Sequence, residues 1–246
     1  MRKEIAQKIL DKNVSDYNQI AASFSQVRTQ LWDEFKVIQD LIKTGDKVLD
    51  LGCGNGRLRL LSRDQNVKFD YVGVDSSQEL IKIAESNNDF KMDSQQFLVA
   101  SMLKLPFADN SFNVVASVAV FHHIPSKQMR LKALQEVKRV LKPGGTLIMF
   151  NWNRWQKDYL HYIIKYTRLK LIGKSDLDFK DILIPWMNGE VKRYFHVFTL
   201  GELKKLVKLS GLKLEENYLS DWKNGDKKSH FDYLHSTNIV TIAKKW

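Results

Sequence analysis

The chain reads as an α/β protein: a mostly parallel sheet of seven strands with helices on both faces, arranged to hold a nucleotide. Three observations predict it. From residue 47 onward, short β-prone apolar runs alternate with amphipathic stretches of helical period, the pattern of βα units. The first run, Val48, Leu49 and Leu51, ends in glycines at alternating positions, Gly52, Gly54 and Gly56. There a strand can turn into a helix with its backbone close to a ligand, where a Cβ would collide. The second run, Phe69 to Asp75, ends in an acid. Asp75 falls about 20 residues beyond the glycines, where doubly wound folds put the acceptor for ribose hydroxyls. The plainer use of that position is to cap the helix that follows, which Ser76 could do equally well.

Composition narrows the class. The 246 residues are 43% hydrophobic, enough for a sizeable core, and Lys and Arg outnumber Asp and Glu by 39 to 28, giving net +11 and a pI near 9.5. That excess favours a polyanionic partner such as nucleic acid, or else reflects solvated lysine-rich helix faces. No apolar run approaches the ~20 residues that cross a bilayer, and the N-terminus lacks a secretory apolar core. Cys53 is the sole cysteine, which rules out an intrachain disulfide and suits a reducing cytoplasm.

The elements follow in order, and no linker divides residues 1–246 into two domains. Residues 1–43 are expected to form a helical cap. One helix carries the stripe Tyr17, Ile20, Phe24 and Val27, and a second carries Leu31, Phe35, Ile38, Leu41 and Ile42 up to a C-cap at Gly45. Arg28 lies at their junction, where the arm could cover a ligand pocket. Helix A, Arg57 to Arg63, leads to strand two, and a helix from Ser77 to about Asn87 leads to strand three, Gln96 to Ser101. Asn113 to Val120 is a near-continuous apolar run, as in a central strand buried on both faces. It leads into His122 and His123. Adjacent side chains point apart and no Cys, His or carboxylate completes a ligand set, so no metal is expected. One of the pair, His123 by preference, should face the substrate. Lys127 to Leu141 is a helix stopped by Pro143-Gly144-Gly145, and Thr146 to Phe150 is strand five, with Trp152 above the same crevice. Residues 153–195 form an irregular insertion in which lysines and arginines interleave with Trp155, Tyr159, Tyr162 and Tyr166. Thr199 and Glu202 read as a capping box for a helix ending at Gly211. Leu212 to Leu219 and Ile239 to Ala243 are the last two strands.

Several stretches carry a resemblance. Asp50-Leu-Gly-Cys-Gly-Asn-Gly56, the Leu105-Pro-Phe…Ser-Phe112 link and Arg139-Val-Leu-Lys-Pro-Gly-Gly145 resemble class I S-adenosylmethionine (SAM)-dependent methyltransferases, which have a Rossmann-like sheet. Tyr17 to Arg28, Phe121-His-His-Ile124, Trp152, Ile184-Pro-Trp186 and Arg193-Tyr-Phe-His-Val-Phe198 are similar to one family, the tRNA wobble-uridine carboxymethyl methyltransferases. The resemblance implies SAM contacts at Asp50, Gly52, Cys53, Gly54, Asn55, Gly56, Asp75, Ser76, Ser101, Met102 and Val118. Ser101 departs from the acid that commonly takes the adenine amino group. It also implies methyl transfer to the carboxylate of 5-carboxymethyluridine, a tRNA anticodon arm as partner, and the small zinc-binding activator protein of eukaryotic relatives. A carboxylate is already ionised at neutral pH, so esterification needs positioning rather than a base. Arg28, His123, Arg193 and His196 are candidates to hold and neutralise it, and Trp152 to stack on uracil. Arg193 and His196 could instead anchor the insertion. Two other readings stay open: a methyltransferase acting on a quinone, lipid or acid metabolite, and a SAM-binding partner without turnover.

Overall fold

The computed structural model describes all residues except 65–66, 88–90, 188, 190, 222–225 and 229–235. Its main sheet comprises β1 (Lys47–Leu51), β2 (Asp70–Asp75), β3 (Gln95–Val99), β4 (Phe112–Val118), β5 (Leu141–Trp152), β8 (Lys213–Ser220), β9 (Lys227–Lys228) and β10 (Asn238–Lys244). They lie in the order β3-β2-β1-β4-β5-β10-β8-β9, and β10 runs antiparallel to both neighbours. The two-residue β9 extends the seven expected strands by a short edge piece. Chain order reverses between β1 and β4, which opens a crevice at the carboxyl ends of these strands.

Apolar side chains alternate to the two faces. Leu49, Val115, Leu147 and Met149 pack beneath α5 (Lys127–Val140) and α7 (Leu200–Ser210), while Val48, Val114, Ile148 and Phe150 pack beneath Phe35, Ile38 and Leu61. Leu49, Val115, Ile148 and Phe150 are completely buried.

The N-terminal arm departs from expectation. The first helix, α1, is 24 residues long (Lys3–Gln26). Val27 falls beyond its end and is 48% exposed, leaving the expected stripe. The expected second helix shrinks to a 3-10 turn, Asp33–Phe35, and one α-turn, α2 (Lys36–Gln39). Phe35, Ile38 and Leu41 recur every third residue, and a 3-10 turn satisfies that spacing as well as an α-helix does. Gly45 (φ +88°) therefore sits in the turn before β1 and not at a helix end. After the glycines, helix A is likewise a 3-10 turn, Arg57–Leu60, running into α3 (Leu61–Asp64).

The insertion is more regular than its sequence suggested. It holds α6 (Leu160–Leu171) and a hairpin of β6 (Asp181–Trp186) with β7 (Val191–His196), a separate two-stranded sheet. A small core of Ile163, Ile182, Ile184, Phe195 and Val197 holds it together. The hairpin leans on α1, so α1 and the insertion together roof the crevice.

Candidate active site

A cavity of about 340 Å³ fills the crevice, within the range of small-ligand sites. Its floor is the Gly-rich turn. Gly52 adopts φ +79°, and a Cβ there would lie 2.4 Å from the Val120 methyls. Gly54, at φ +55°, faces the Phe24 ring of α1 at 3.4 Å from where a Cβ would be. Both positions need glycine, which keeps the backbone bare toward the cavity.

Asp75, at the end of β2, accepts hydrogen bonds from the Gly54 and Ser77 backbone N–H groups, each 2.9 Å long. Each carboxylate oxygen retains lone-pair capacity for a hydroxyl donor. Burial raises this carboxyl, and the backbone N–H bonds oppose the rise. The helix it precedes, α4 (Gln78–Ser86), is capped by Ser77, whose Oγ accepts from the Leu80 N–H, so Ser76 is free of that duty and lines the cavity. Asn18 of α1 binds the same helix end through Ser77 and Glu79. Asp50, only 4% exposed, accepts from the Tyr71 hydroxyl at 2.7 Å, and burial lifts it to about 7 despite that bond. Ser101, Met102 and Val118 line the remaining wall, and the Ser101 Oγ accepts from the Leu103 N–H. Asn55, also on the cavity wall, donates its side-chain amide to the carbonyls of Ser25 and Arg28. Burial pushes the Cys53 thiol well up, which suits a space-filling residue and not a nucleophile.

The roof carries a different chemistry. His122 and His123 sit in a 3-10 turn, Phe121–His123, which sets neighbours about 120° apart, so both rings reach the cavity wall 4.6 Å from each other. The expectation that they diverge is corrected. Burial keeps both neutral: His123 falls to about 3, and His122 lies well below its usual range. His123 Nδ1 donates to the Tyr194 carbonyl at 2.7 Å, which leaves Nε2 as acceptor for the Tyr17 hydroxyl at 2.8 Å. His123 thus carries no charge with which to hold an anion. It fixes Tyr17, whose hydroxyl also faces the Arg193 guanidinium.

Arg193 lines the cavity, stacked over Trp186 at 4.5 Å and Phe195 at 5.1 Å. It is 7% exposed, and its Nε has no hydrogen-bond partner. Trp152 is parallel to Phe195 (4.2 Å, 7°) and to Tyr159 (4.6 Å, 8°). Two rings so near and parallel cannot share one face of an indole, so they sandwich it. Trp152 therefore has no face for a base, contrary to expectation.

His196 lies outside the cavity. Its Nδ1 meets Asp181 at 2.6 Å and its Nε2 meets Glu202 at 2.8 Å, so it ties β6 to the first turn of α7. Burial would raise the Glu202 carboxyl, but the His196 and Lys180 bonds outweigh it and bring it down to about 2. The expected capping box is half formed, because the Thr199 hydroxyl accepts from the Glu202 N–H while the Glu202 side chain goes to His196.

Arg28 stands at the Gly-turn end of the cavity, its guanidinium 5.6 Å from the Phe24 ring and 5.3 Å from the Trp32 ring. Arg57, which the sequence reading left inside helix A, joins it there, 4.5 Å from the same Trp32 ring. The usable signal was a cation directly after the third glycine, where the chain passes beneath the ligand. Among the described residues no group of three His, Cys, Asp or Glu is assembled to hold a metal. Among those residues no helix is long and apolar enough to cross a membrane.

A family profile described as a methyltransferase domain matches residues 49–149. A protein of Encephalitozoon cuniculi named only as a methyltransferase is 33% identical over 80% of this chain and 85% of its own length. The tRNA (carboxymethyluridine(34)-5-O)-methyltransferase of Schizosaccharomyces pombe is 27% identical, covering 82% and 88%. Mouse tRNA (carboxymethyluridine(34)-5-O)-methyltransferase ALKBH8 is 33% identical over 66% of this chain, which spans only 23% of that longer protein. Among solved structures, a SAM-dependent methyltransferase from Methanosarcina mazei superposes with a TM-score of 0.68 at 24% identity, covering 85% of this chain and 96% of the other. A Haloferax volcanii methyltransferase, solved in complex with the Trm112 methyltransferase activator, gives 0.67 at 19% identity, covering 94% and 96%. Glycine floor, the buried acid at the end of β2 and relatives agree: the chain belongs to the class I SAM-dependent methyltransferases, and it resembles those that modify carboxymethyluridine in tRNA.

Proposed function

We propose that this enzyme methylates the carboxylate of 5-carboxymethyluridine at the tRNA wobble position, forming the methyl ester. The observation that carries the reading is Arg193: a buried guanidinium on the cavity wall, with an unpartnered Nε, held against Trp186, Phe195 and the Tyr17 hydroxyl. A planar fork of N–H donors suits a carboxylate. The relatives' names supply the substrate class.

Bound SAM supplies a methyl group on a sulfonium. One carboxylate oxygen forms the new O–C bond as the C–S bond breaks, S-adenosylhomocysteine leaves, and no proton moves. His122 and His123, whose proton affinities burial depresses, are poor general bases, which agrees with a reaction that needs none. Arg193 takes the non-attacking oxygen and orients the other toward the methyl, so its role is positioning. Asp75, with the Gly52–Gly56 turn, would hold the ribose side of the cofactor, and Ser101 and Met102 would border its adenine.

The anticodon arm is the proposed RNA partner, drawn to a chain of net charge +11. An activator of the kind solved with the Haloferax enzyme is proposed as a protein partner. The test is transfer from methyl-labelled SAM to bulk tRNA, with and without such an activator. Base-labile label on tRNA is expected. Unlabelled RNA in both arms, alongside labelled quinones or small acids, overturns the reading in favour of a metabolite methyltransferase.

A further inference from the structure

A row of tyrosines leads out of the cavity along α6. Tyr159, at the head of the helix, stacks flat on Trp152 at 4.6 Å and 8°. Its phenol lies within electrostatic reach of Arg28 and Arg193, both on the cavity wall. Tyr162 and Tyr166 follow at helical spacing, so the three side chains share one stripe of the helix. Each phenol is within electrostatic reach of the next. All three pack against the insertion core yet stay half-buried.

Cations border this stripe. The His161 ring lies 4.0 Å from the Tyr162 ring, the Lys165 ammonium lies 5.7 Å from the Tyr166 ring, and Arg168 follows. Lys165 and Arg168 are exposed and make no ion pair among the described residues. Asp158 is the single acid between residues 154 and 174, against six lysines and arginines. Aromatic rings beside unpaired cations fit a flexible polyanion whose planar groups are unstacked. Single-stranded RNA offers both, whereas a duplex hides the faces of its bases. The same helix exposes Ile164 and Leu171, as a lipid-binding helix would, but helical spacing puts them on the side opposite the tyrosines.

We propose that the tyrosine stripe of α6, with Lys165 and Arg168 beside it, is a track for the unpaired nucleotides that flank the target uridine. This rests on the tRNA reading above and adds a path for the strand. Bases stack along Tyr162 and Tyr166, and the two cations meet phosphates.

The experiment measures the binding of oligouridine and of a blunt RNA duplex by fluorescence anisotropy across a range of salt, with methyl transfer to bulk tRNA in parallel. Tyr162→Ala combined with Tyr166→Ala should weaken oligouridine by at least about tenfold, the worth of a lost stack, and leave the duplex within about twofold. The corresponding Tyr→Phe pair keeps both rings and should bind oligouridine within about twofold. Lys165→Gln combined with Arg168→Gln should flatten the slope of log affinity against log salt by about 1.4, since each phosphate contact on a single strand contributes about 0.7. S-adenosylhomocysteine affinity should be unchanged throughout, which reports that each variant is folded.

Unchanged oligouridine affinity in the alanine variant overturns the track, and transfer to tRNA by the unmodified protein would then leave the substrate reading standing. Equal loss of oligouridine and duplex overturns it too, because α6 would be a cationic surface without a stacking role. An unmodified protein that ignores oligouridine yet binds phosphatidylserine vesicles assigns the helix to a membrane surface instead. If no tRNA is methylated, with or without an activator, the substrate reading itself fails and takes the track with it.

Discussion

The two faces of β7 differ more than the sequence Arg193-Tyr-Phe-His196 suggests. Arg193 and Phe195 point into the cavity, where a guanidinium and an aromatic ring wait for a ligand. Tyr194 and His196 point the other way, against α5 and α7, and His196 is bound by carboxylates on both ring nitrogens. Successive residues of a strand face opposite sides, so residues three apart can never share a site on one strand face. One short motif therefore does two jobs: its odd positions line the cavity and its even positions brace the insertion.

The largest way to break this comparison is on the brace. His196→Ala leaves the Asp181 carboxyl, 1% exposed, without the buried ring that meets its Oδ1 at 2.6 Å. Removing one partner of a buried pair costs about 3–5 kcal/mol, so denaturant unfolding should shift by that amount. Transfer per folded molecule should hold within about twofold. Adding Asp181→Asn replaces the stranded carboxyl with a neutral amide and should restore part of the loss. A catalytic His196 would give the reverse: little change in stability and a collapse of transfer.

Arg193→Ala tests the other face. Losing a buried guanidinium from a bound carboxylate is worth about 10²–10³-fold in kcat/KM for the RNA acceptor. S-adenosylhomocysteine affinity should stay the same, because the contact proposed for Arg193 is with the acceptor. An equal loss of both would mean that Arg193 belongs to the cofactor wall, and its proposed hold on the carboxylate would fall.

The floor of this site was legible in the sequence because its geometry is local. Three spaced glycines and an acid at a strand end specify their own backbone, so Gly52, Gly54 and Asp75 stand where the spacing put them. The roof was not, because its partners meet only in the fold. Tyr17 read as one member of an apolar stripe, and nothing in α1 announces that its hydroxyl bonds to a histidine 106 residues later. Trp152 read as an open stacking face because Tyr159 and Phe195, which cover it, arrive from an irregular loop and from a hairpin strand. His196 read as a site residue because its pairing with Asp181 depends on the β6–β7 register.

A smaller effect follows from the buried neutral histidines on the cavity side. His123 holds its proton only near pH 3 in the folded state, against about 6.5 when unfolded. Below pH 6.5 the unfolded chain takes up a proton that the native state refuses, so stability falls as pH drops from 6.5 toward 3. Between pH 7 and 5 this amounts to about 2 kcal/mol from His123, with His122 acting in the same direction. Melting in His123→Asn should show a shallower acid slope across that window. The brace behaves differently: Glu202, held near 2, loses its stabilising contribution only as pH falls from about 4.3 toward 2. A variant with an unchanged slope would mean that the folded state protonates His123 as readily as the unfolded chain does, and the buried, neutral ring assigned to it would fall.

The smallest kinetic effect is expected at Trp152, and it sharpens what the cavity face of β7 presents to a base. With Phe195 on one side of the indole and Tyr159 on the other, Trp152 supports the wall, and the half-buried Tyr159 is the outer ring of the stack. Trp152→Phe keeps a ring in the stack but loses area, which should lower stability by about 1–3 kcal/mol. KM for the RNA acceptor should change by less than about threefold. Tyr159→Ala should raise it further, since stacking on a base is worth about 1–3 kcal/mol. Steady-state kinetics with the same labelled SAM separates the two variants. If Trp152→Phe raises KM more than Tyr159→Ala does, the sandwich must open on RNA binding, and Phe195 would have to swing off the indole beside Arg193, turning this face of β7 from a fixed wall into a moving one.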